Sequence, residues 1–315
     1  MNITSKKSVI TILLIGLVCL LVIRGQPTTL YSLSGVSQNE FVTVDLGSGS
    51  ATSPKNCYLF NVFLLGMLSA QSEGVTYITM GYETIGQYQY NVDTNKYVST
   101  VNISAPTQLE MLPQPYGYDP VNNRAFGVGI PQNGFSSTVT VNVYDFGSEQ
   151  SSSTSLGFSD YSWDTLPNGY YDQYSGNYYI FQQYYSGINL ITFNTDTLQF
   201  NTTTFDGKLD TGYVLTNLQG QLFFLDMPSS GSDYVLYTVD IGSQSFKQVL
   251  SVTSEGYSED SLFPWVTDNG NYLVLLSGSN DAVLFTTIDL TSYQILSTSQ
   301  NTASLPSQVK YLSIF

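Results

Sequence analysis

The sequence predicts an all-β chain built from repeated four-stranded units, and three observations predict it. A strand ending in Asp or Asn and running into a turn recurs six times at nearly constant spacing. Apolar and polar residues alternate over short runs, as in Leu284-Phe285-Thr286-Thr287-Ile288, separated by clusters of Gly, Asn, Asp and Ser that suit hairpin turns. No extended stretch after residue 25 has helical spacing.

The chain of 315 residues opens with a targeting segment. Lys6 and Lys7 form a basic start, and residues 9–23 form an apolar run interrupted only by Thr11, Gly16 and Cys19. That run is shorter than the roughly 20 residues a spanning helix needs, so residues 1–25 read as a signal peptide cleaved after Gly25. The alternative is an uncleaved signal anchor in which residues 9–23 hold the protein at a membrane. Either way, residues 26–315 form the domain exposed to the secretory pathway and the exterior.

The repeats follow in order. VTVDLGSGS, YQYNVDTNKY, VNVYDFGSE, ITFNTDTLQF, YTVDIGSQSF and TTIDLTSYQI carry anchors at Asp45, Asn91, Asp145, Asn194, Asp240 and Asp289, spaced by 46, 54, 49, 46 and 49 residues. A second register, a polar turn before an aromatic-rich apolar strand, appears in YDPVNNRAFGVG, YDQYSGNYYIF, LTNLQGQLFFL and VTDNGNYLVLL. Its anchors Asp119, Asp172, Asn217 and Asp268 precede the first set by 26, 22, 23 and 21 residues. Two registers keeping step give one strand before the polar turn, one after it, one carrying the anchor and one following. Four strands in a unit of this length make a β-propeller blade.

The length after the leader accommodates six such blades. Residues 29–37 read as the second strand of a unit whose innermost strand is missing, and residues 308–315 form a strand with no unit after them. Pairing these two segments completes the first blade from both chain ends and removes free sheet edges. Seven blades, with a further unit inside residues 46–90, is the alternative.

Composition narrows the function. The chain has no histidine, the commonest general base and transition-metal ligand, which excludes Ser-His-Asp, Cys-His and His-ligated zinc chemistry. Loss of Lys6, Lys7 and Arg24 with the leader leaves six basic residues against 24 acidic ones, a formal charge of −18. Such a surface repels nucleic acid and anionic membranes and attracts cations. Cys57, alone after cleavage and set in the apolar CYLFNVFLL, reads as a buried inert thiol. Asn102-Ile-Ser and Asn201-Thr-Thr are sequons, marking Asn102 and Asn201 as glycosylation acceptors.

Residues 266–299, VTDNGNYLVLLSGSNDAVLFTTIDLTSYQILSTS, resemble one unit of the YVTN-type propeller repeats of bacterial surface and quinoprotein-like proteins. The resemblance covers about one blade well and the others loosely. It implies a fold that hosts enzymes, binding proteins and adhesion modules alike. The lactonase branch of that group relies on histidine, arginine and acidic groups. Here histidine is missing and Arg124 is the one arginine after the leader.

Superposing the units gives candidate sites. Glu110, Asp164, Asp210 and Asp260 stand nine, eight, seven and eight residues before Asp119, Asp172, Asn217 and Asp268, where loops lead into the innermost strands. The first and second units offer Gln308 and Lys55–Asn56 instead, so the ring is incomplete. Converging carboxylates repel unless a cation intervenes, and Ca²⁺, with six to eight oxygen ligands, is the natural guest outside the cell. The arrangement resembles the six-bladed calcium propellers of the gluconolactonase and phosphotriesterase type, in which acidic and amide side chains from several blades hold one ion. The bland reading makes these acids solvated loop residues.

Residues 161–185 hold eight tyrosines and Trp163. Alternate strand residues face opposite sides, so not all of these rings can be core. Tyr161, Trp163, Tyr170 and Trp265 are candidate platforms for sugar rings or protein partners. The reading is therefore a secreted or cell-surface recognition module for a glycan or extracellular protein, without turnover. The alternative is a Ca²⁺-dependent lactone or ester hydrolase.

Overall fold

Runs such as Asn177–Tyr184 and Tyr272–Ser279 are apolar at successive positions, so a strand built from them must be covered on both faces. Packing each sheet between two others meets that demand. The computed structural model describes residues 26, 29–34, 40–51, 55–56, 63–71, 74–80, 84–91, 94, 96–104, 116–119, 121–129, 139–157, 168–184, 187–207, 212–218, 220–226, 233–253, 266–268, 271–279, 282–301 and 309–314.

These residues form six four-stranded antiparallel sheets. Sheet I joins β1 (Thr29–Ser34), β2 (Glu40–Asp45) and β3 (Lys55–Asn56) to the C-terminal β24 (Val309–Ile314), in the order β24-β1-β2-β3. Sheet II holds β4 (Phe63–Gln71), β5 (Gly74–Met80), β6 (Thr84–Asn91) and β7 (Lys96–Ser104). Sheet III holds β8 (Tyr116–Asp119), β9 (Arg124–Gly129), β10 (Thr140–Asp145) and β11 (Gln150–Ser155). Sheet IV holds β12 (Asn168–Asp172), β13 (Asn177–Tyr184), β14 (Gly187–Asn194) and β15 (Phe200–Phe205). Sheet V holds β16 (Gly212–Leu218), β17 (Gln221–Asp226), β18 (Tyr234–Asp240) and β19 (Ser245–Val252). Sheet VI holds β20 (Val266–Asp268), β21 (Tyr272–Ser279), β22 (Ala282–Asp289) and β23 (Gln294–Asn301).

The two chain ends meet as their patterns require. β24 pairs antiparallel with β1, with Leu30 opposite Ile314 and Ser32 opposite Leu312. The first strands of the sheets neighbour one another in turn, from β4 through β8, β12, β16 and β20 to β24, and β24 touches β4 again. Side-chain packing follows the same circuit. Leu30, Val44 and Leu46 of sheet I pack with Val274, Leu276, Val283 and Phe285 of sheet VI. Tyr178 and Ile180 of β13 face sheet III, whereas Tyr179 and Phe181 of the same strand face sheet V. The two-residue period of one strand thus serves two interfaces. Burying an aromatic such as Phe193, Phe223 or Phe224 contributes about 1.5–3 kcal/mol. Outermost strands have a covered face at most, and β11, QSSSTS, is correspondingly polar and exposed.

All six anchors of the first register end the third strand of a sheet: Asp45, Asn91, Asp145, Asn194, Asp240 and Asp289. Their chemistry is a capped turn. Asp145 Oδ1 accepts the amides of Gly147 and Ser148 at 2.9 Å each, and Asp240 Oδ1 accepts those of Gly242 and Ser243 at 2.9 and 3.1 Å. Asn194 Oδ1 and Asp45 Oδ1 do the same for Thr197 and Ser48. Four residues after the anchor the backbone turns left-handed, at Gly49, Glu149, Leu198, Gln244 and Tyr293, with φ between 55° and 71°. Only the first of these is glycine.

Candidate functional site

In sheets II to VI the antiparallel order puts two hairpins, first-to-second strand and third-to-fourth strand, at one end of the sheet. Their tips form the best-defined surface among the described residues. In sheet III, Asp119 is fully buried, and its carboxylate accepts the amides of Val121 at 3.0 Å and Asn122 at 3.1 Å and the Asn122 side-chain amide at 2.7 Å. In sheet IV, Asp172 receives the amides of Tyr174 at 2.9 Å and Ser175 at 3.1 Å. Each cap leaves one apolar side chain standing at the same turn position: Val121 is 73% exposed and Tyr174 75%.

A polar belt ties these turns together across sheets. Gln87 of β6 is buried and donates through Nε2 to the Tyr118 hydroxyl at 2.8 Å and to Asn123 Oδ1. The Tyr118 hydroxyl donates to Asn123 Oδ1 at 2.8 Å within sheet III, so it is the Gln87 amide that joins sheets II and III. Arg124 Nη1 donates to the Thr195 carbonyl at 3.1 Å, and Nη2 lies 3.0 Å from both Asp119 and Asp196, joining sheets III and IV. Thr195 Oγ1 donates to the Gly176 carbonyl at 2.8 Å, locking the two hairpins of sheet IV to each other. The Tyr174 ring rests beside Gly220 in the corresponding turn of sheet V.

Electrostatics follow from this geometry. Burial raises the Asp119 carboxyl, but the Asn122 hydrogen bonds and the Arg124 guanidinium outweigh it and hold the group below the usual carboxylate range. The Ser148 and Ser243 amides lower Asp145 and Asp240 in the same way. Burial pushes the Tyr118 phenol up to about 12, and burial followed by the Asp119 charge raises Tyr171. Carboxylates held ionised by their own turns are weak bases.

The sequence-derived candidates fall elsewhere. Glu110, Asp164, Asp210, Asp260, Tyr161, Trp163 and Trp265 lie outside the described residues, as do Cys57 and residues 1–25. Tyr170 is half-buried and packs against the cluster containing Tyr179, Phe181, Leu222 and Phe224. Of the tyrosine-rich segment, Tyr178 and Tyr179 are core, Tyr171 stacks on Phe126 at 5.1 Å, and Tyr174 stands in solvent. Asn102 and Asn201 are both exposed, on β7 and β15. Sequence reading passed over Tyr174 and Val121; the signal that marks them is the two-residue offset from Asp172 and Asp119.

No protein-family model matches the chain, and no curated sequence matches it either. Solved structures do resemble it. A structure titled as a nidogen/laminin complex is similar over 91% of this chain and 97% of its own, with 14% identity and a TM-score of 0.59. TolB from Acinetobacter baumannii matches over 91% of this chain with 12% identity and a TM-score of 0.58, and this chain spans 66% of the TolB chain. A structure titled as a putative 6-phosphogluconolactonase from Bacteroides fragilis matches over 93% of this chain and 99% of its own, with 10% identity and a TM-score of 0.52. At these identities the likeness speaks for architecture alone: the chain has a β-propeller fold.

Proposed function

We propose that the protein is a secreted or cell-surface propeller of six blades, closed by its C-terminal strand, that recognises a glycan or an extracellular protein through one face without turnover. The observation that carries the reading is the pair of buried, amide-saturated carboxylates Asp119 and Asp172, which hold Val121 and Tyr174 exposed on adjacent hairpins. A rigid amphipathic ring on a preorganised turn loses little entropy when a partner docks. The acidic balance of residues 26–315 argues against nucleic acid and for a neutral or basic partner. A propeller neighbour titled as a complex of two proteins supports a protein partner. Membrane attachment enters only through an uncleaved anchor at residues 9–23.

The test is a glycan array and an extracellular-protein binding screen with the secreted chain. Tyr174→Ala is expected to lose at least tenfold in affinity for the partner found while melting at the same temperature. Binding that survives Tyr174→Ala and is lost in Trp163→Ala moves the contact to the segment that precedes β12 in the chain.

The second reading is a Ca²⁺-dependent lactone or ester hydrolase, favoured by the four acids that recur before the innermost strands and by the lactonase-titled neighbour. Glu110, Asp164, Asp210 and Asp260 would hold the ion, which would polarise the substrate. A saturable, Ca²⁺-selective rise in melting temperature that Mg²⁺ does not reproduce, abolished by Asp164→Asn with Asp260→Asn, would support this reading over the first.

A further inference from the structure

We propose that Asn102 and Asn201 carry N-linked glycans on the outermost strands of sheets II and IV, one toward each end of the rim, so that the glycan at Asn201 borders the hairpin tips. The placement goes beyond what the sequons state. Both asparagines fall on the last strand of a sheet, its outer edge, and both are exposed. Neither carboxamide is engaged by a described residue. Asn102 lies opposite Gly86, near the start of β6, whereas Asn201 lies opposite Thr192, near the end of β14. Since β6 and β14 are equivalent strands, the two sites sit toward opposite ends of the rim. The neighbours on the chain show the selectivity of the arrangement: Ile103 is buried in the sheet II–III interface and Thr203 is also buried, while the acceptors themselves point to solvent. A glycan at either acceptor needs no rearrangement of the fold.

In the transfer, the Asn carboxamide nitrogen attacks the anomeric carbon of an N-acetylglucosamine held on a polyisoprenyl pyrophosphate donor. A C–N bond forms, the anomeric C–O bond breaks, the pyrophosphate lipid leaves, and one amide proton passes to the transferase's base. The chain is modified in extended form during export, so the burial of Thr203 after folding does not oppose it.

The experiment expresses the full chain in a secreting eukaryotic cell and digests it with peptide N-glycosidase F in heavy-oxygen water. Conversion of residues 102 and 201 to Asp carrying one heavy oxygen is expected, with two steps of mass loss in the intact protein. Asn102→Gln and Asn201→Gln should each remove one step and leave the melting temperature unchanged. Unmodified peptides for both residues, whether recovered from medium or from lysate, overturn the proposal. The result does not depend on ligand binding, so its failure is separate from failure of the recognition reading.

Discussion

Arg124 Nη2 lies 3.0 Å from a carboxylate oxygen of Asp196 on the neighbouring sheet, and 3.0 Å from Asp119 within its own hairpin. The two partners differ sharply: the Asp196 side chain is 74% exposed, the Asp119 side chain 1%. The contact is therefore asymmetric in energy. The pair with Asp196 is screened by water, while the pair with Asp119 compensates a charge that water cannot reach.

Arg124→Met should cost about 3 kcal/mol, because it strips a buried carboxylate of its counter-charge. Asp196→Asn should cost less than about 1 kcal/mol. Urea unfolding of the two variants checks the ordering. Equal losses would mean that the inter-sheet pair, not the one with Asp119, supports the fold.

Acid should destabilise the protein through the turn carboxylates. Asp119, Asp145, Asp45 and Asp240 are all held below the usual carboxylate range in the folded state. A depressed folded pKa contributes stability above the unfolded value and loses it as pH falls through the folded one. The urea midpoint should thus decline below about pH 4, and Asp119→Asn should flatten part of that decline. An unchanged slope in that variant would show that Asp119 is not titrating as the hydrogen bonds require.

Gly117→Ala should destabilise by about 1–3 kcal/mol. A Cβ there would sit 2.5 Å from Tyr171 Cβ and 3.0 Å from the Tyr171 amide nitrogen, where the first strands of sheets III and IV converge. Gly47→Ala, whose new methyl would meet Asp45 Oδ1 at 3.5 Å, should be near neutral. Thermal melts of the pair separate close approach from a general glycine effect.

Gln244, exposed and at φ 55°, tests the turn geometry. Gln244→Gly should raise stability by up to about 1 kcal/mol, the left-handed cost offset by greater chain entropy in the unfolded state. Gln244→Val should lower it by about 1 kcal/mol or more, since a β-branched residue tolerates that conformation worst. A valine variant as stable as the glycine one would contradict a left-handed backbone at this position.

Much of the architecture was legible because its causes are local. A carboxylate that accepts amides and hydroxyls of the turn just beyond it needs no distant partner, so Asp45, Asp145, Asp240 and Asp289 announced where third strands end. The pairing of β24 with β1 was also readable, since an orphan strand at each end of the chain calls for the other. Tyr170 was less so. Composition marked it as a platform, but its neighbours Tyr179, Phe181, Leu222 and Phe224 come from sheets IV and V, and only their convergence makes it half-buried.

The sequence by itself determined the strands, the capped turns, the repeat and the closure, because two-residue alternation and turn hydrogen bonding act within a few residues of the chain. Tertiary structure decided which side chains meet across sheets. It set Arg124 beside Thr195 and Asp196, Gln87 beside Tyr118 and Asn123, and Gly117 against Tyr171. Those partners are tens of residues apart, and no local pattern encodes a contact that exists only once separate sheets have packed.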